Sequence, residues 1–113
     1  MNVGILAMDA QFPSKYVEMS DLEVYDNCPG KYTKGIGQKQ MGFVSDNEDA
    51  VSLAMTALEN VMETAGISYK DVGRLEIGTE SQVDRSKSIK SYLMDIFEKN
   101  ENTNIEGTDT YKT

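Results

Sequence analysis

A long amphipathic stretch in the middle of the chain constrains the fold most. Between positions 51 and 65, apolar side chains recur at the three- and four-residue intervals of one helix face. Gly66 follows directly, as is typical of a helix end, and Ser45 and Glu48 ahead of it have the capping-box spacing. The sequence therefore predicts a helix packed on a sheet. The stripe is rich in Ala and Met, and we interpret it as core rather than as a ligand-binding face. Its members are Val51, Ala54, Met55, Leu58, Val61, Met62 and Ala65.

Two short apolar runs predict strands. The run from Val3 to Met8 reads as a buried strand, and the run from Arg74 to Gly78 reads as a second one that leads into the loop Thr79 to Arg85. A further amphipathic helix is predicted after this loop, before the polar stretch that begins at Lys99. Its apolar face consists of Ile89, Tyr92, Leu93, Ile96 and Phe97.

Between the first strand and the long helix, the sequence predicts one short helix and a loop. Ser20 and Glu23 have the capping-box spacing, but Pro29 soon interrupts the helix, and Lys31 to Gly42 is punctuated by glycine. The resulting order of strand, helix, strand and helix is typical of an α/β layered fold. Two strands do not complete such a sheet, so we expect an incomplete sheet with packing helices.

Composition excludes several classes of function. Eleven Lys and Arg against nineteen Asp and Glu give 11 − 19 = −8, and no basic stretch is present to follow a nucleic-acid backbone. No apolar run approaches the roughly 20 residues of a membrane helix, so we expect a soluble, cytoplasmic chain. The single cysteine, Cys28, fits a reducing compartment. Because histidine is absent, hydrolytic triads and histidine-bearing metal sites are excluded within this chain, and no metal site is predicted.

Glu80 is the first candidate for chemistry. It follows the predicted strand, and open α/β sheets bind ligands at the carboxyl ends of their strands. A carboxylate in that position can act as a base toward carbon if burial raises its pKa. The alternative is an ordinary solvated loop carboxylate, and the nearby charges of Asp84, Arg85 and Lys87 are interpreted as surface charges.

The turn around Cys28 holds weaker candidates. Cys28 has no helix amino terminus after it to activate the thiol, so we do not interpret it as a nucleophile. Lys31 could offer its charge to a phosphate with the turn amides beside it, or could simply be solvated. Gly35 and Gly37 form a GxG with no strand before it, which is too weak a signal for dinucleotide binding.

Taken together, several motifs resemble the eukaryotic 3-hydroxy-3-methylglutaryl-CoA synthase family. Their order and spacing match throughout the chain, apart from a deletion near Asn27 to Pro29, and the stretch from Gly73 to Ser88 is highly specific. The matching motifs are Val3-Gly4-Ile5, Phe12-Pro13-Ser14, Gly30-Lys31-Tyr32-Thr33, Gly35-Ile36-Gly37-Gln38, Met41-Gly42-Phe43, Gly73-Arg74-Leu75-Glu76-Ile77-Gly78-Thr79-Glu80 and Asp84-Arg85-Ser86-Lys87-Ser88.

The resemblance implies a thiolase-like layered fold, of which residues 1–113 would be a partial amino-terminal domain. It implies an acyltransferase that condenses acetyl-CoA with acetoacetyl-CoA in the mevalonate route to sterols and isoprenoids. The CoA thioesters are substrates, no separate cofactor is expected, and full-length members are homodimers. Glu80 matches the family's general acid/base, and Pro29, Gly30 and Lys31 match a segment that contacts CoA, although the deletion lies beside them.

The resemblance also implies what this stretch of sequence lacks. The family's nucleophilic cysteine would follow shortly after Thr113, and Cys28 is not its equivalent. The family histidine would lie farther on, so we expect the chain alone to be inactive as a synthase. The alternative is a non-catalytic CoA-binding or interaction module derived from the synthase.

Overall fold

The computed structural model describes residues 2–110, which form two compact units. One unit is Phe12–Glu48, and the other combines the described residues of Met1–Gln11 and Asp49–Thr113. Residues 111–113, the last before the expected position of the family's nucleophilic cysteine, lie outside the described residues.

The unit Phe12–Glu48 is built on an antiparallel strand pair. Strand β1 (Lys15–Glu18) pairs with β2 (Gln40–Phe43), with Lys15 opposite Phe43. Helix α1 (Met19–Tyr25) follows β1 directly and buries Met19 and Glu23. The predicted short helix is confirmed, and the predicted loop after Lys31 gives way to β2 at Gln40.

The predicted capping box of this helix is wrong. Helix α1 begins at Met19, one residue before Ser20, and its N-cap residue, Glu18, makes no side-chain capping bond. The Glu23 carboxylate accepts hydrogen bonds from the later turn instead of from the helix start. A buried carboxylate is stabilised by several backbone donors, and the turn supplies more of them than a capping box would.

The long helix is confirmed as α2 (Ala50–Ala65), which ends at Gly66 with φ 63°. Its capping box lies later than predicted, because Asp49 and Ser52 form it by reciprocal hydrogen bonds. The Glu48 carboxylate instead accepts from the backbone N–H groups of Ser14 and Ser45, both at 2.9 Å. The spacing of Ser45 and Glu48 therefore corresponds to hydrogen bonds that lie just before the N-cap residue, Asp49, and not to the N-cap itself.

The other predicted helix is confirmed as α3 (Ile89–Lys99), which packs against α2 and holds most of the core. The Phe97 ring is fully buried and meets the ring of Tyr69 edge to face, with centroids 5.5 Å apart. Tyr69 lies in a short 3₁₀ turn, Tyr69–Asp71. The buried apolar side chains of this unit are Met62, Ile89, Leu93, Ile96, Phe97 and Ile105.

The strand predicted from Arg74 to Gly78 is confirmed only at its end. Strand β3 (Ile77–Gly78) pairs in parallel with β4 (Asp109–Thr110), and Arg74 makes an isolated parallel bridge with Glu106. Helix α3 connects the two strands, as parallel pairing requires. Within the described residues, the strands form two sheets of two strands each, β1 with β2 and β3 with β4. The expected incomplete sheet is therefore confirmed.

The strand predicted from Val3 to Met8 is wrong. Residues 2–10 carry no strand pairing, and the Val3 and Leu6 side chains are 92% and 82% exposed. An apolar run becomes a strand only when a neighbouring strand takes its backbone hydrogen bonds. The part of the chain that the structure describes pairs no strand with this run.

Candidate functional site

Glu80 lies just beyond the carboxyl end of β3. The Thr79 N–H donates to the Thr110 carbonyl at 3.0 Å, and the Thr79 hydroxyl accepts from the Ser81 N–H at 3.0 Å. These two bonds fix the backbone on both sides of Glu80. Glu80 therefore lies where ligands bind in open α/β sheets.

A polar cavity of about 350 Å³ opens at this strand end, lined by Glu80, Ser81, Gln82 and Arg85. Glu80, Ser81 and Arg85 are exposed and Gln82 is half-buried. The cavity thus combines a proton acceptor, a hydroxyl, an amide and a guanidinium. This arrangement can accept a proton from a bound group and can place a cation beside a developing negative charge.

The charges that follow Glu80 differ in their surroundings. The Asp84 carboxylate accepts from the Ser86 N–H at 2.7 Å, and Lys87 Nζ lies 3.9 Å from the centroid of the Tyr92 ring. Both residues are exposed, as predicted for surface charges. Arg85 is exposed too, but it lines the same cavity as Glu80, and sequence reasoning missed this because it depends on the path of the loop.

The other candidate segment, Pro29 to Lys31, lies in the unit Phe12–Glu48. Gly30 adopts a left-handed φ of 78°, which favours glycine. Pro29 and Lys31 are exposed, and Lys31 Nζ lies 5.6 Å from the centroid of the Tyr32 ring. The segment therefore presents one ammonium group at the surface of a tight turn.

The turn amides beside Lys31 are already engaged as donors within the protein, so they do not accompany its charge toward a phosphate. The Gly30 N–H donates to Glu23 Oε2 at 2.8 Å, and the N–H groups of Tyr32 and Thr33 donate to Glu23 Oε1 at 2.7 and 2.6 Å. The Lys31 N–H donates to the Cys28 carbonyl at 3.1 Å. With these donors taken inside the protein, an anion at this turn would meet the Lys31 side chain.

Glu23 is a buried charge that sequence reasoning missed. Glu23 is only 6% exposed. Its pKa is lowered from 4.5 to about 2, and the largest cause is the hydrogen bond from the Thr33 N–H. The N–H groups of Gly30 and Tyr32 and the Thr33 hydroxyl lower this pKa further, and desolvation opposes them. No sequence signal identifies Glu23, because its main partners are backbone groups, which every residue type shares.

The ring of Tyr32 lies against the same turn. Its hydroxyl donates to the Asp26 carboxylate at 2.7 Å, and this bond, followed by one with Cys28, raises the pKa of Tyr32. Cys28 is a half-buried free thiol whose N–H donates to the Glu23 carbonyl at 2.9 Å. The residues around Cys28 thus form a packed turn, and the turn continues into loop rather than a helix.

The glycines at 35 and 37 serve chain geometry. A Cβ on Gly35 would collide with the Lys31 carbonyl oxygen, and Gly37 has φ 76°. They lie in the loop between α1 and β2, so no strand leads directly into them. Their positions are explained by the turn without any dinucleotide.

The part of the chain that the structure describes shows neither a metal cluster nor a membrane-spanning helix. Among residues 2–110, no three side chains of the metal-ligating types lie close enough together to hold an ion. In the same part of the chain, no helix is both long and apolar enough to cross a membrane.

Comparison with known proteins identifies the family. The sequence model described as "Hydroxymethylglutaryl-coenzyme A synthase N terminal" matches residues 1–113. The chain belongs to the hydroxymethylglutaryl-CoA synthase family. It is 53% identical over 110 residues to the cytoplasmic hydroxymethylglutaryl-CoA synthase of Homo sapiens, covering 96% of this chain and 21% of that protein. It is 49% identical over 110 residues to hydroxymethylglutaryl-CoA synthase 2 of Blattella germanica, covering 96% of this chain and 24% of that protein.

Solved structures show the fold of this synthase-family chain. A structure of MvaS in complex with 3-hydroxy-3-methylglutaryl coenzyme A matches with a TM-score of 0.84 and 31% identity, covering 95% of this chain and 25% of that one. The 3-oxoacyl-[acyl-carrier-protein] synthase III of Aquifex aeolicus matches with a TM-score of 0.76 at 15% identity, which shows the fold alone. The predicted resemblance and the predicted α/β, thiolase-like fold class are confirmed. The chain spans about a fifth of the length of the curated relatives it matches.

Proposed function

We propose that this chain supplies the general acid/base and part of the CoA-binding surface of a hydroxymethylglutaryl-CoA synthase. The observation that carries the proposal is the position of Glu80, which lines the cavity with Arg85 at the carboxyl end of β3. Membership of the synthase family supports the same assignment. Residues 1–113 are then a partial amino-terminal domain of the synthase.

In the proposed reaction, Glu80 acts on an acetyl group carried by a cysteine thiol other than Cys28. The carboxylate takes a proton from the acetyl methyl group, and the electron pair of that C–H bond forms the new carbon–carbon bond to the ketone carbon of acetoacetyl-CoA. The ketone oxygen takes up a proton. Water then cleaves the enzyme thioester and releases 3-hydroxy-3-methylglutaryl-CoA, while free CoA leaves during acetylation.

We propose that Arg85 assists this step. It lines the same cavity as Glu80, and a guanidinium near a developing enolate or alkoxide stabilises the negative charge. The substrates are CoA thioesters, and no separate cofactor is needed for proton transfer between carbon and a carboxylate. Pro29, Gly30 and Lys31 are proposed to contact CoA, with Lys31 supplying the charge.

The curated relatives support further proposals about the setting of this reaction. Several of them are named cytoplasmic synthases, which favours a cytoplasmic location for this chain. We also propose that the complete synthase is a homodimer.

A second candidate is a non-catalytic CoA-binding module. It is favoured by the turn from Gly30 to Thr33, which Glu23 braces and which presents Lys31 at the surface. The Glu23-braced turn could bind CoA without any catalysis. This alternative predicts CoA binding that is unchanged by Glu80→Ala.

The decisive experiment uses a synthase whose amino-terminal part is this chain. Glu80→Ala should leave acetylation of the nucleophilic cysteine by acetyl-CoA within twofold of the wild type. Condensation should slow by about 10²- to 10⁴-fold, the usual contribution of a general acid/base. The two steps separate because acetyl transfer needs a thiolate, whereas condensation needs a proton taken from carbon.

Glu106→Ala is the matched control, because Glu106 is an exposed carboxylate of the same unit and does not line the cavity. It should change neither step. If Glu80→Ala condenses at the normal rate, Glu80 is not the general acid/base and the proposal fails.

A further inference from the structure

The Glu23 carboxylate is a buried charge that neither the proposed reaction nor the predicted CoA contact uses. It lies on α1, and its hydrogen-bond donors lie seven to ten residues later, in the turn that follows this helix. A charged group in such a position is costly unless donors surround it. The turn supplies several donors to this carboxylate, so we ask what function of the turn requires Glu23.

The hydrogen bonds to Glu23 flank Lys31 on both sides. Gly30 N–H reaches Oε2, whereas Tyr32 N–H, Thr33 N–H and the Thr33 hydroxyl all reach Oε1, the hydroxyl at 3.0 Å. Lys31 is the residue of this run whose amide donates elsewhere, to the Cys28 carbonyl. The backbone is thus fixed before and after Lys31 while its side chain remains exposed.

We propose that Glu23 is a positioning residue that holds the Gly30 to Thr33 backbone so that the Lys31 ammonium is presented to a phosphate group of CoA. This inference rests on the proposed CoA contact of the segment Pro29 to Lys31. Glu23 does not touch CoA in this arrangement. It fills the concave side of the turn, and the ligand meets the Lys31 side chain on the exposed side.

The positioning role also explains why a carboxylate is buried at this turn. If the carboxylate of Glu23 were absent, the N–H groups of Gly30, Tyr32 and Thr33 would lose their shared acceptor, and the turn would gain alternative conformations. Gly30, whose N–H is one of these donors, adopts a left-handed φ of 78°. A lysine on a mobile turn binds a phosphate more weakly, because ordering the turn then opposes binding.

The test is a double-mutant cycle in CoA binding, measured by calorimetry on a synthase whose amino-terminal part is this chain. Glu23→Gln, which keeps the side-chain volume but loses the charge and one acceptor oxygen, should weaken CoA binding about tenfold. In a Lys31→Met background, the same change should weaken binding less than twofold. Binding of pantetheine, which lacks the phosphates of CoA, should not respond to Glu23→Gln.

The control is Asp21→Asn, which removes one exposed negative charge from the same helix and should leave CoA binding unchanged. Thr33→Val is a milder second variant that removes the hydroxyl donor to Glu23 while preserving shape. It should weaken CoA binding two- to threefold, and it keeps the proposal testable if Glu23→Gln fails to fold.

The possible outcomes distinguish failure of the proposed CoA contact at Lys31 from failure of the positioning role of Glu23. If Lys31→Met binds CoA as tightly as the wild type, the proposed CoA contact of the segment Pro29 to Lys31 is overturned, and the positioning role falls with it. If Lys31→Met weakens CoA binding but Glu23→Gln and Thr33→Val bind as tightly as the wild type, the positioning role alone is overturned. Equal losses from Glu23→Gln with and without the Lys31→Met substitution would show that Glu23 only supports folding.

Discussion

The carboxylate of Asp109, on β4, accepts a hydrogen bond at 3.0 Å from the N–H of Lys90, in the first turn of α3. It also accepts from the Ile89 N–H. The Ser88 hydroxyl accepts from the Ser91 N–H and completes the cap. The helix that follows the Glu80 loop is therefore anchored to the strand that pairs with β3.

We predict that Asp109→Ala destabilises the chain by about 1 to 2 kcal/mol, because two helix N–H groups lose a charged acceptor. Asp109→Asn should lose less stability than Asp109→Ala, since asparagine keeps one acceptor oxygen. Amide hydrogen exchange of α3, in a synthase whose amino-terminal part is this chain, gives both values. Glu106→Ala, which removes an exposed charge from the same segment, serves as control and should fall within about 0.5 kcal/mol of the wild type. An Asp109→Ala variant as stable as this control would contradict the anchoring role.

Periodic segments were predictable because their signal is repeated many times. The face of α3 has four buried apolar residues at helical spacing, so single exceptions do not obscure it. Capping boxes were not predictable, because S-x-x-E occurs at Ser20 and at Ser45 while both glutamates bind backbone amides outside a helix start. Strand β4 was missed because a strand of two residues is too short to show the alternation of apolar and polar side chains.

The candidate site was predictable only where the signal lay in a single segment. Glu80 could be singled out because it follows a predicted strand. Its neighbour Arg85 in the cavity and the brace from Glu23 to Thr33 depend on how the chain folds back on itself. No spacing rule carries that information.

We predict that the amides around Glu23 report an unusually acidic carboxylate. The pKa of Glu23 is lowered from 4.5 to about 2, so the stabilisation it gives is fully present above pH 4.5 and is lost as the pH falls toward 2. The amide proton shifts of Gly30, Tyr32 and Thr33, followed by NMR, should titrate together with a midpoint near 2. The shared titration should disappear in Glu23→Gln and persist in Asp21→Asn. A midpoint near 4.5 would show that the amides do not hold the ionised form.

We predict that the 113-residue chain does not form 3-hydroxy-3-methylglutaryl-CoA from acetyl-CoA and acetoacetyl-CoA. It contains no histidine, and Cys28 lies in a turn outside the unit that holds Glu80. Loss of one member of a catalytic unit already costs orders of magnitude. Release of CoA should stay at background, and mass spectrometry should find no acetyl group on Cys28. Turnover abolished by Glu80→Ala, or rapid stoichiometric acetylation of Cys28, would refute this prediction.

The last prediction concerns the stability of the chain and follows from its exposed apolar segment. Val3, Ile5, Leu6 and Met8 are 92%, 81%, 82% and 76% exposed, and an apolar run of this kind promotes association. Helix α2 likewise buries only Met62 of its apolar stripe. Ordering costs about 1 to 2 kcal/mol per residue, so a core of this size leaves little net stability.

We therefore expect a broad, weakly cooperative thermal transition and binding of a hydrophobic dye by the 113-residue chain. Replacing Ile5 and Leu6 together by serine should reduce dye binding and association, because it removes exposed apolar surface without touching the buried core. The matched control is Ile96→Ser, which places a hydroxyl in the core and should increase both. A sharp two-state transition from a monomer, with well-dispersed amide resonances and no dye binding, would contradict the prediction. That result would favour the module that folds and binds CoA without catalysis.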